Sequence, residues 1–406
     1  MIKKSFFSHS FDLILSQGIL AVSGVLFWVI AARLYTVEGV GLGSVLISLA
    51  SFLIFISSLG VLPSFIRFMP IDKDKGKLVG TLFGFSQGLL IIFVMIFLSA
   101  KGILLPKVRI LNNPWNSLLF IIFVLSMQTF QILDSVFVSL QRTRLVLAKN
   151  ATQYTLRIVF LFILTALGGF GIFSSNCLSA IVAVVLSAGY LLLKYKDLKI
   201  KWGFDPAILK RVLPFSLVNF LNALTLSLPG MIAPLAILSL FSEKEAGLFY
   251  IPWMMFSVYC SFISSVNNVF LMKASHGEDH PLLLKKAVTF SFILSIFGFL
   301  AFFILGDKIL FLFKKDFSEH SFLTLRLLFS SIFFFVFNQI YITTLNIKKQ
   351  NGRVALFAGF VLALLTILGF ILLPSFGGKG MALSWLFANI MGSIFVFLLW
   401  FLKRGK

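Results

Sequence analysis

Long apolar runs dominate the chain and are separated by short breaks that contain charged residues, glycine or proline. Each run is about 20 residues long, the length that an α-helix needs to cross the hydrocarbon core of a bilayer. We therefore expect an all-α integral membrane protein with about twelve transmembrane helices. The predicted spans are 12–32, 43–62, 78–100, 117–140, 151–168, 172–193, 212–240, 247–270, 287–305, 321–342, 354–373 and 381–402.

Composition supports this interpretation and leaves no room for a large soluble domain. Of the 406 residues, 59% are hydrophobic and only 12% are charged, whereas about 25% is usual in soluble domains. Cys177 and Cys260 both fall within apolar runs, so we expect neither a disulfide framework nor a metal site from cysteine. The first run lacks a small-residue cleavage site and is interpreted as a retained span.

The formal net charge of +21 is distributed as a topology signal. With the N-terminus in the cytoplasm, the inside segments carry 24 Lys and Arg and the outside segments carry 9. Arg157 and Arg326 are the remaining two and lie within spans. The positive-inside rule therefore places both termini in the cytoplasm, and the charge requires no nucleic-acid partner.

Sequence markers recur at an offset close to half the length of the chain. Because six spans are an even number, a duplicated six-span unit would give two parallel lobes around a central cleft, which suits alternating access. We predict an N-terminal lobe at 1–195, a cytoplasmic linker at 196–211 and a C-terminal lobe at 212–406. The markers are 38–42 with 244–248, 168–171 with 377–380, and Arg67 with Lys273.

The first 70 residues resemble the opening of bacterial polysaccharide-unit flippases of the O-antigen type, which share a superfamily with the MATE drug exporters. The resemblance becomes patchy toward residue 195 and is mostly architectural beyond it. The matching motifs are Gln17-Gly18, Ile30-Ala31-Ala32-Arg33-Leu34, Glu38-Gly39-Val40-Gly41, Leu59-Gly60, Ile66-Arg67-Phe68 and Leu140-Gln141-Arg142-Thr143-Arg144.

This resemblance implies a MATE-like fold and a transporter, not an enzyme. The implied activity moves a polyprenyl-diphosphate-linked oligosaccharide from the inner to the outer leaflet of the bacterial cytoplasmic membrane, for a cell-surface polysaccharide such as lipopolysaccharide. The implied partners are this lipid, membrane lipids, a polysaccharide polymerase and chain-length proteins.

Four cations are candidate contacts of the diphosphate, because an ionisable group inside or beside a span is costly without a function. Arg67 and Lys273 would lie at the inner mouth of each half, where positive-inside anchoring is the alternative. Arg33 ends span 1 on the outer side, where the topology rule gives no reason for a cation. Arg326 lies about 8 Å into span 10, with snorkelling to the interface as its alternative.

Asp134 and Arg157 are equidistant from the centre of the predicted 141–150 loop and should lie at similar depth. A salt bridge between them would either lock the lobe or make Asp134 a proton or sodium site. Coupling to a proton or sodium gradient is therefore a hypothesis. No nucleotide-binding motif occurs in the sequence, and we expect no cofactor.

Polar and helix-breaking residues in the predicted spans supply the remaining candidates. Pro229, Gly230 and Pro234 are expected to break span 7 and form a hinge. Amides in spans 1, 7 and 8 could contact sugar or join helices. They are Gln17, Asn219, Asn222, Asn267 and Asn268.

Two other functions remain open. A MATE-like cation-coupled exporter of drugs or metabolites requires acidic residues deep in the first lobe, where Asp134 is the candidate. A membrane glycosyltransferase or polymerase usually needs a large external loop, which the predicted topology lacks. His276, Glu278, Asp279 and His280 crowd one inside loop, which we interpret as a polar loop and not a metal site.

Overall fold

The computed structural model describes residues 21–194, 200–201, 203–275, 280–348 and 350–404. These residues form α-helices and two short 3-10 turns, with no β-strand in the described ranges. The helices are α1 (Ala21–Leu34), α2 (Val37–Ser58), α3 (Val61–Phe68), α4 (Lys75–Leu104), α5 (Pro114–Ser139), α6 (Thr143–Ile163), α7 (Gly169–Lys194), α8 (Pro206–Leu240), α9 (Glu243–Ser275), α10 (His280–Phe313), α11 (Lys315–Ser330), α12 (Ile332–Ile347) and α13 (Asn351–Arg404).

The helices follow the predicted apolar runs in order, which confirms the all-α, multi-pass membrane architecture. Span 2 is divided between α2 and α3, span 10 is divided between α11 and α12, and spans 11 and 12 share α13. Eight helical segments of the described chain are long and apolar enough to cross a membrane. Two shorter apolar helical segments, Ala21–Leu34 and Ser227–Leu240, accompany them.

Several helices begin at a residue whose side chain caps the first turn. The Thr36 hydroxyl accepts the Gly39 amide at 3.0 Å, and the Asp74 carboxylate accepts the Lys77 amide at 3.0 Å. Asp205 caps α8 in the same way. Each cap supplies an acceptor for an amide that has no partner within its own helix.

The chain forms two compact units. The N-terminal unit is Leu34–Lys244, and the C-terminal unit contains the described residues of Met1–Arg33 together with Glu245–Lys406. These units differ from the two halves of the sequence in two helices. Helix α1 belongs to the C-terminal unit, and helix α8 belongs to the N-terminal unit. The functional division into lobes at 196–211 stays a prediction.

Each unit has its own hydrophobic core. In the N-terminal unit, Phe65, Leu82, Val136 and Phe137 belong to a buried cluster that α3, α4, α5 and α8 share. In the C-terminal unit, aromatic rings fill the interior, and Phe302 stacks on Phe329 with 4.1 Å between ring centroids. Close packing of such side chains gives rigid helix groups that can carry polar residues at fixed positions.

Both units contain the same glycine turn, which supports the predicted duplication. Gly168 has φ 53° and ψ −139°, and Gly377, 209 residues later, has φ 57° and ψ −139°. A Cβ atom on Gly171 would meet the carbonyl oxygen of Leu164 at 2.2 Å, and one on Gly380 would meet that of Leu372 at 2.2 Å. The φ and ψ angles of Gly168 and Gly377 are accessible almost only to glycine.

Helix α8 continues without a break through its prolines. It is one helix from Pro206 to Leu240, with Pro214, Pro229 and Pro234 inside it. The expected break in span 7 is therefore absent from this conformation. Each proline still removes one i→i−4 hydrogen bond, and a hinge at Pro229, Gly230 and Pro234 stays a prediction.

Candidate functional site

A backbone break in the second predicted span creates the short helix α3. Leu59 and Gly60 both have positive φ, at 43° and 73°. A Cβ atom on Gly60 would lie 2.1 Å from the carbonyl oxygen of Ser216 in α8. Glycine is required at this position because α2 turns into α3 directly against the α8 backbone.

Helix α3 packs on α8 with two small residues, Gly60 and Ser64, at the contact. Val61, Ser64 and Phe65 are buried, and this i, i+3, i+4 spacing defines one helix face. The Ser64 and Ser216 hydroxyls lie 2.7 Å apart and share a hydrogen bond. The opposite side of α3 is exposed and carries Arg67 in the last turn.

Two aromatic rings hold the Arg67 guanidinium at this exposed position. It lies 4.3 Å from the Phe215 ring centroid and 5.6 Å from that of Phe68. Ring contact occupies the faces of a guanidinium and leaves its in-plane N–H groups able to donate. Among the described residues, no carboxylate is paired with Arg67.

The neighbouring cation, Arg211, has a different environment. Its guanidinium lies 5.8 Å from the Phe68 ring and is paired with the Asp72 carboxylate. Neither Arg211 nor Phe68 nor Phe215 is predicted from the sequence as part of a site. Arg211 and Phe215 reach this site because α8 packs beside α3. They lie more than 140 residues after Arg67 in the sequence, so no local sequence pattern predicts the contact.

Two more ion pairs join the α3–α4 loop and the start of α4 to the segment before α8. Lys201 lies 2.7 Å from Asp74, and Lys77 lies 2.6 Å from Asp205. The hydrogen bond from Lys201 holds the pKa of Asp74 below its usual value, with the Lys77 amide contributing. The hydrogen bond from Lys77 lowers the pKa of Asp205 in the same way.

Arg33 binds the end of another helix within the C-terminal unit. Its Nε donates to the carbonyl of Leu312 at 2.9 Å, and its second terminal nitrogen donates to that of Phe311 at 2.9 Å. These carbonyls are in the last turn of α10, where helical partners are missing. A structural role therefore competes directly with the predicted diphosphate contact.

The other two candidate cations are less accessible than Arg67. Arg326 is half-buried, donates to the Phe303 carbonyl at 3.1 Å and lies between the Phe303 and Phe322 rings. Lys273 is buried in the last turn of α9. Arg33 and Arg67 are the two exposed cations of these four, and Arg33 also lies 6.0 Å from the Phe311 ring centroid. Because Arg33 donates to the α10 carbonyls, Arg67 is the exposed cation of the four that retains its donors for a ligand.

Asp134 pairs with Lys149, which differs from the predicted partner Arg157. The Lys149 ammonium lies 3.1 Å from the Asp134 carboxylate and also donates to the Phe130 carbonyl at 3.1 Å. Arg157 instead has its guanidinium 4.5 Å from the Tyr154 ring centroid. The shorter loop explains the difference, because α5 ends at Ser139 and α6 begins at Thr143.

The predicted sugar-binding amides have different environments. Asn219 donates to the carbonyl of Phe215 one turn back at 2.8 Å, and Asn268 is exposed. Asn267 is buried in α9, and neither polar atom of its amide has a hydrogen-bond partner. Gln17 and the side chain of Asn222 lie outside the described residues. The predicted polar loop at 276–280 also lies outside them, except for the backbone of His280.

An apolar cavity of about 400 Å³ lies within the N-terminal unit. Side chains from α2, α4 and α8, and Leu105 directly after α4, line it, and Ser239 is the only polar residue in this lining. Such a surface suits an acyl or isoprenoid chain but offers no group to bind a phosphate.

A family model described as polysaccharide biosynthesis protein matches residues 8–275 of the chain. No curated protein sequence matches it.

Solved structures share the fold over nearly the whole chain. An inward-facing multidrug resistance MATE family transporter of the MOP superfamily superposes with a TM-score of 0.79 at 14% identity, covering 99% of this chain and 98% of that one. The lipid II flippase MurJ in an inward closed conformation has a TM-score of 0.78 at 15% identity, with 97% and 87% covered. A MOP superfamily transporter from Pyrococcus furiosus has a TM-score of 0.64 at 15% identity, with 98% and 95% covered.

Proposed function

The chain belongs to the polysaccharide biosynthesis protein family, and we propose that it is a flippase for a polyprenyl-diphosphate-linked oligosaccharide. The lipid would move from the inner to the outer leaflet of the cytoplasmic membrane by alternating access. The fold shared with transporters, including a lipid II flippase, supports this proposal.

The Arg67 guanidinium is the observation that carries the proposed substrate class. It is exposed, held in place by Phe68 and Phe215, and unpaired with any described carboxylate. A planar fork with unused N–H groups matches the oxygens of a diphosphate bidentately. Predicted topology places this end of α3 on the cytoplasmic side, where the substrate would be collected.

The other candidate groups would act after this first contact. Lys273 and Arg326 add positive charge in the C-terminal unit, and Asn267 has an amide with hydrogen-bonding capacity left for a sugar hydroxyl. In this proposal, Arg33 contacts the diphosphate only if it leaves the α10 carbonyls during the transport cycle.

Substitution of Arg67 tests the diphosphate contact. Arg67→Ala should abolish surface polysaccharide export while membrane insertion stays normal, and Arg67→Lys should recover only part of it because the bidentate fork is lost. Lys73→Ala is the matched control, since Lys73 is an exposed cation of the following loop. Full export by Arg67→Ala would remove Arg67 from the mechanism.

A cation-coupled exporter is the second candidate function, and Asp134 is the observation that favours it. The carboxylate side chain retains 31% exposure although it is paired with Lys149. For Asp134 to bind a coupling ion, Lys149 would have to be displaced, and export would depend on both residues. Flippase activity with a structural pair predicts that an uncharged replacement of both residues preserves export.

A further inference from the structure

A cavity of about 540 Å³ lies within the C-terminal unit, at the turn between α12 and α13. Its volume is within the roughly 300–1,000 Å³ range of ligand pockets. The proposed flippase mechanism uses none of the residues that line it. They include Tyr341, Lys348, Gln350, Arg353, Phe357 and Phe395.

The polar end of the cavity is formed by the turn, where the described residues include two cations. Lys348 and Arg353 are both exposed, and the Arg353 guanidinium donates to the side-chain oxygen of Gln350 at 3.0 Å. The backbone N–H of Gln350 donates to the carbonyl of Leu345 at 2.9 Å, which fixes the backbone of the turn. These bonds hold the guanidinium in place while leaving most of its N–H groups unused.

No acidic side chain balances these cations within the lining. Residues 321–406 contain no Asp or Glu at all. The α3–α4 loop of the N-terminal unit differs, because it carries carboxylates that pair with Lys201 and Arg211. The charge at the α12–α13 turn therefore fits an anion that comes from outside the chain.

The rest of the cavity is apolar and extends along the two helices. Tyr341 lies seven residues before Lys348, which corresponds to about 10 Å at 1.5 Å per residue. The Tyr341 and Phe357 rings meet edge to face at 5.1 Å, and the Phe357 and Phe395 rings stack at 6.3 Å. Leu356 on the same wall is 76% exposed. An amphiphile with an acyl chain would cover this surface, and inorganic phosphate would not.

We infer that this cavity binds an anionic phospholipid, with Lys348 and Arg353 contacting the headgroup phosphate and an acyl chain lying against Phe357 and Phe395. The charge distribution places the α12–α13 turn on the cytoplasmic side, so the lipid comes from the inner leaflet. Basic pockets between helices at that surface are suited to anionic headgroups. The inference stands apart from the proposed transport activity, because it concerns a resident lipid and other residues.

The test measures lipid retained by the full-length protein. The protein is transferred from mixed vesicles into a neutral detergent that contains excess phosphatidylcholine. Native mass spectrometry then counts the phosphatidylglycerol molecules that remain bound to it. The wild type should retain one phosphatidylglycerol. Lys348→Gln combined with Arg353→Gln should weaken retention at least tenfold, since each cation near an anionic headgroup contributes about 1 kcal/mol and each 1.4 kcal/mol is tenfold.

The matched control is Lys285→Gln with Lys286→Gln, which removes the same charge from the start of α10, predicted to be on the same side of the membrane. It should retain the lipid as the wild type does. Equal loss in both double variants, or no loss in the cavity variant, would overturn the inference, as would displacement of the lipid by millimolar inorganic phosphate. Thermal unfolding checks that both variants remain folded, and Leu399→Trp should weaken retention with both cations present.

Discussion

The side chain of Lys149 is fully buried, and its ammonium has Asp134 as its carboxylate partner. Removing one member of a buried ion pair leaves an uncompensated charge, which costs more than the intact pair contributes. We expect Asp134→Asn to lower the free energy of unfolding by about 3 kcal/mol. Thermal unfolding in detergent measures this change.

The double variant separates structure from function at the same pair. Asp134→Asn with Lys149→Met removes both charges and should recover most of the lost stability, while Lys210→Met, which changes an exposed lysine, should leave stability unchanged. If the double variant is as unstable as Asp134→Asn alone, the pair is not what holds α5 and α6 together there.

The identity of this partner depended on the exact length of a turn. Polar residues from Gln141 to Asn150 suggested a loop centred at 145.5, which places Arg157 opposite Asp134. The observed connection is residues 140–142, so its centre is residue 141. Asp134 lies seven residues before this centre and is therefore level with residue 148, which lies seven residues after it and next to Lys149. Polar residues can begin a membrane helix, and hydropathy alone does not distinguish this from a loop.

At the scale of elements, the turn at Gly168 should tolerate no side chain. Its φ of 53° combined with ψ of −139° is strained for any residue with a Cβ atom, although nothing lies within 4 Å of that position. Gly168→Ala should therefore destabilise the protein by about 1–3 kcal/mol through backbone strain alone. The change is read from the thermal unfolding temperature.

Gly88 provides a matched control for this substitution. It also has nothing within 4 Å of a built Cβ atom, but it lies inside α4. Gly88→Ala should be neutral or stabilise the helix by up to about 1 kcal/mol. Equal effects at the two positions would show that backbone conformation at Gly168 is not the cause.

The ion pairs before α8 predict a pH dependence that begins only in strong acid. The pKa values of Asp74 and Asp205 are held below their usual value of 3.8. The two ion pairs therefore contribute fully to stability above pH 3.8, and this stability is lost as the pH falls through the lowered pKa values. Hydrogen exchange of residues 203–210, corrected for the intrinsic rate, should stay constant from pH 7 to pH 5 and rise below about pH 3.8.

Neutral variants check the origin of this response. Asp74→Asn with Asp205→Asn should raise exchange between pH 7 and about pH 3.8 to the level that the wild type reaches only in stronger acid, which removes the step. Asp316→Asn, in α11, should behave as the wild type. Loss of protection already between pH 7 and pH 5 in the wild type would show that other groups control the attachment.

For the whole molecule, the order of the helices was predictable because membrane spans need long apolar runs. The recurrence of the glycine turn was also predictable, since Gly168 and Gly377 have nearly the same backbone angles. The break at Leu59 and Gly60 was not predicted. It depends on the close approach of the Ser216 carbonyl in α8, a contact that the sequence near residue 60 does not contain.

The candidate site was predictable only in part for the same reason. Arg67 could be singled out as a cation at the end of an apolar run, but its rings come from adjacent Phe68 and distant Phe215. Arg33 could be singled out in the same way at the end of span 1, yet it donates to carbonyls of α10, which lies nearly 280 residues later. Side-chain partners that are distant in sequence determine which cations remain available to a ligand.

Leaflet-resolved analysis of polyprenyl-linked oligosaccharides tests the proposed flippase most directly. In a strain lacking the gene, we expect a complete oligosaccharide lipid to accumulate on the inner leaflet, where it is protected from periodate in intact spheroplasts and oxidised after permeabilisation. The intact gene and Lys73→Ala should restore outer-leaflet exposure, and Arg67→Ala should not. Unchanged lipids with normal surface polysaccharide in the deletion strain would contradict the account and favour the exporter.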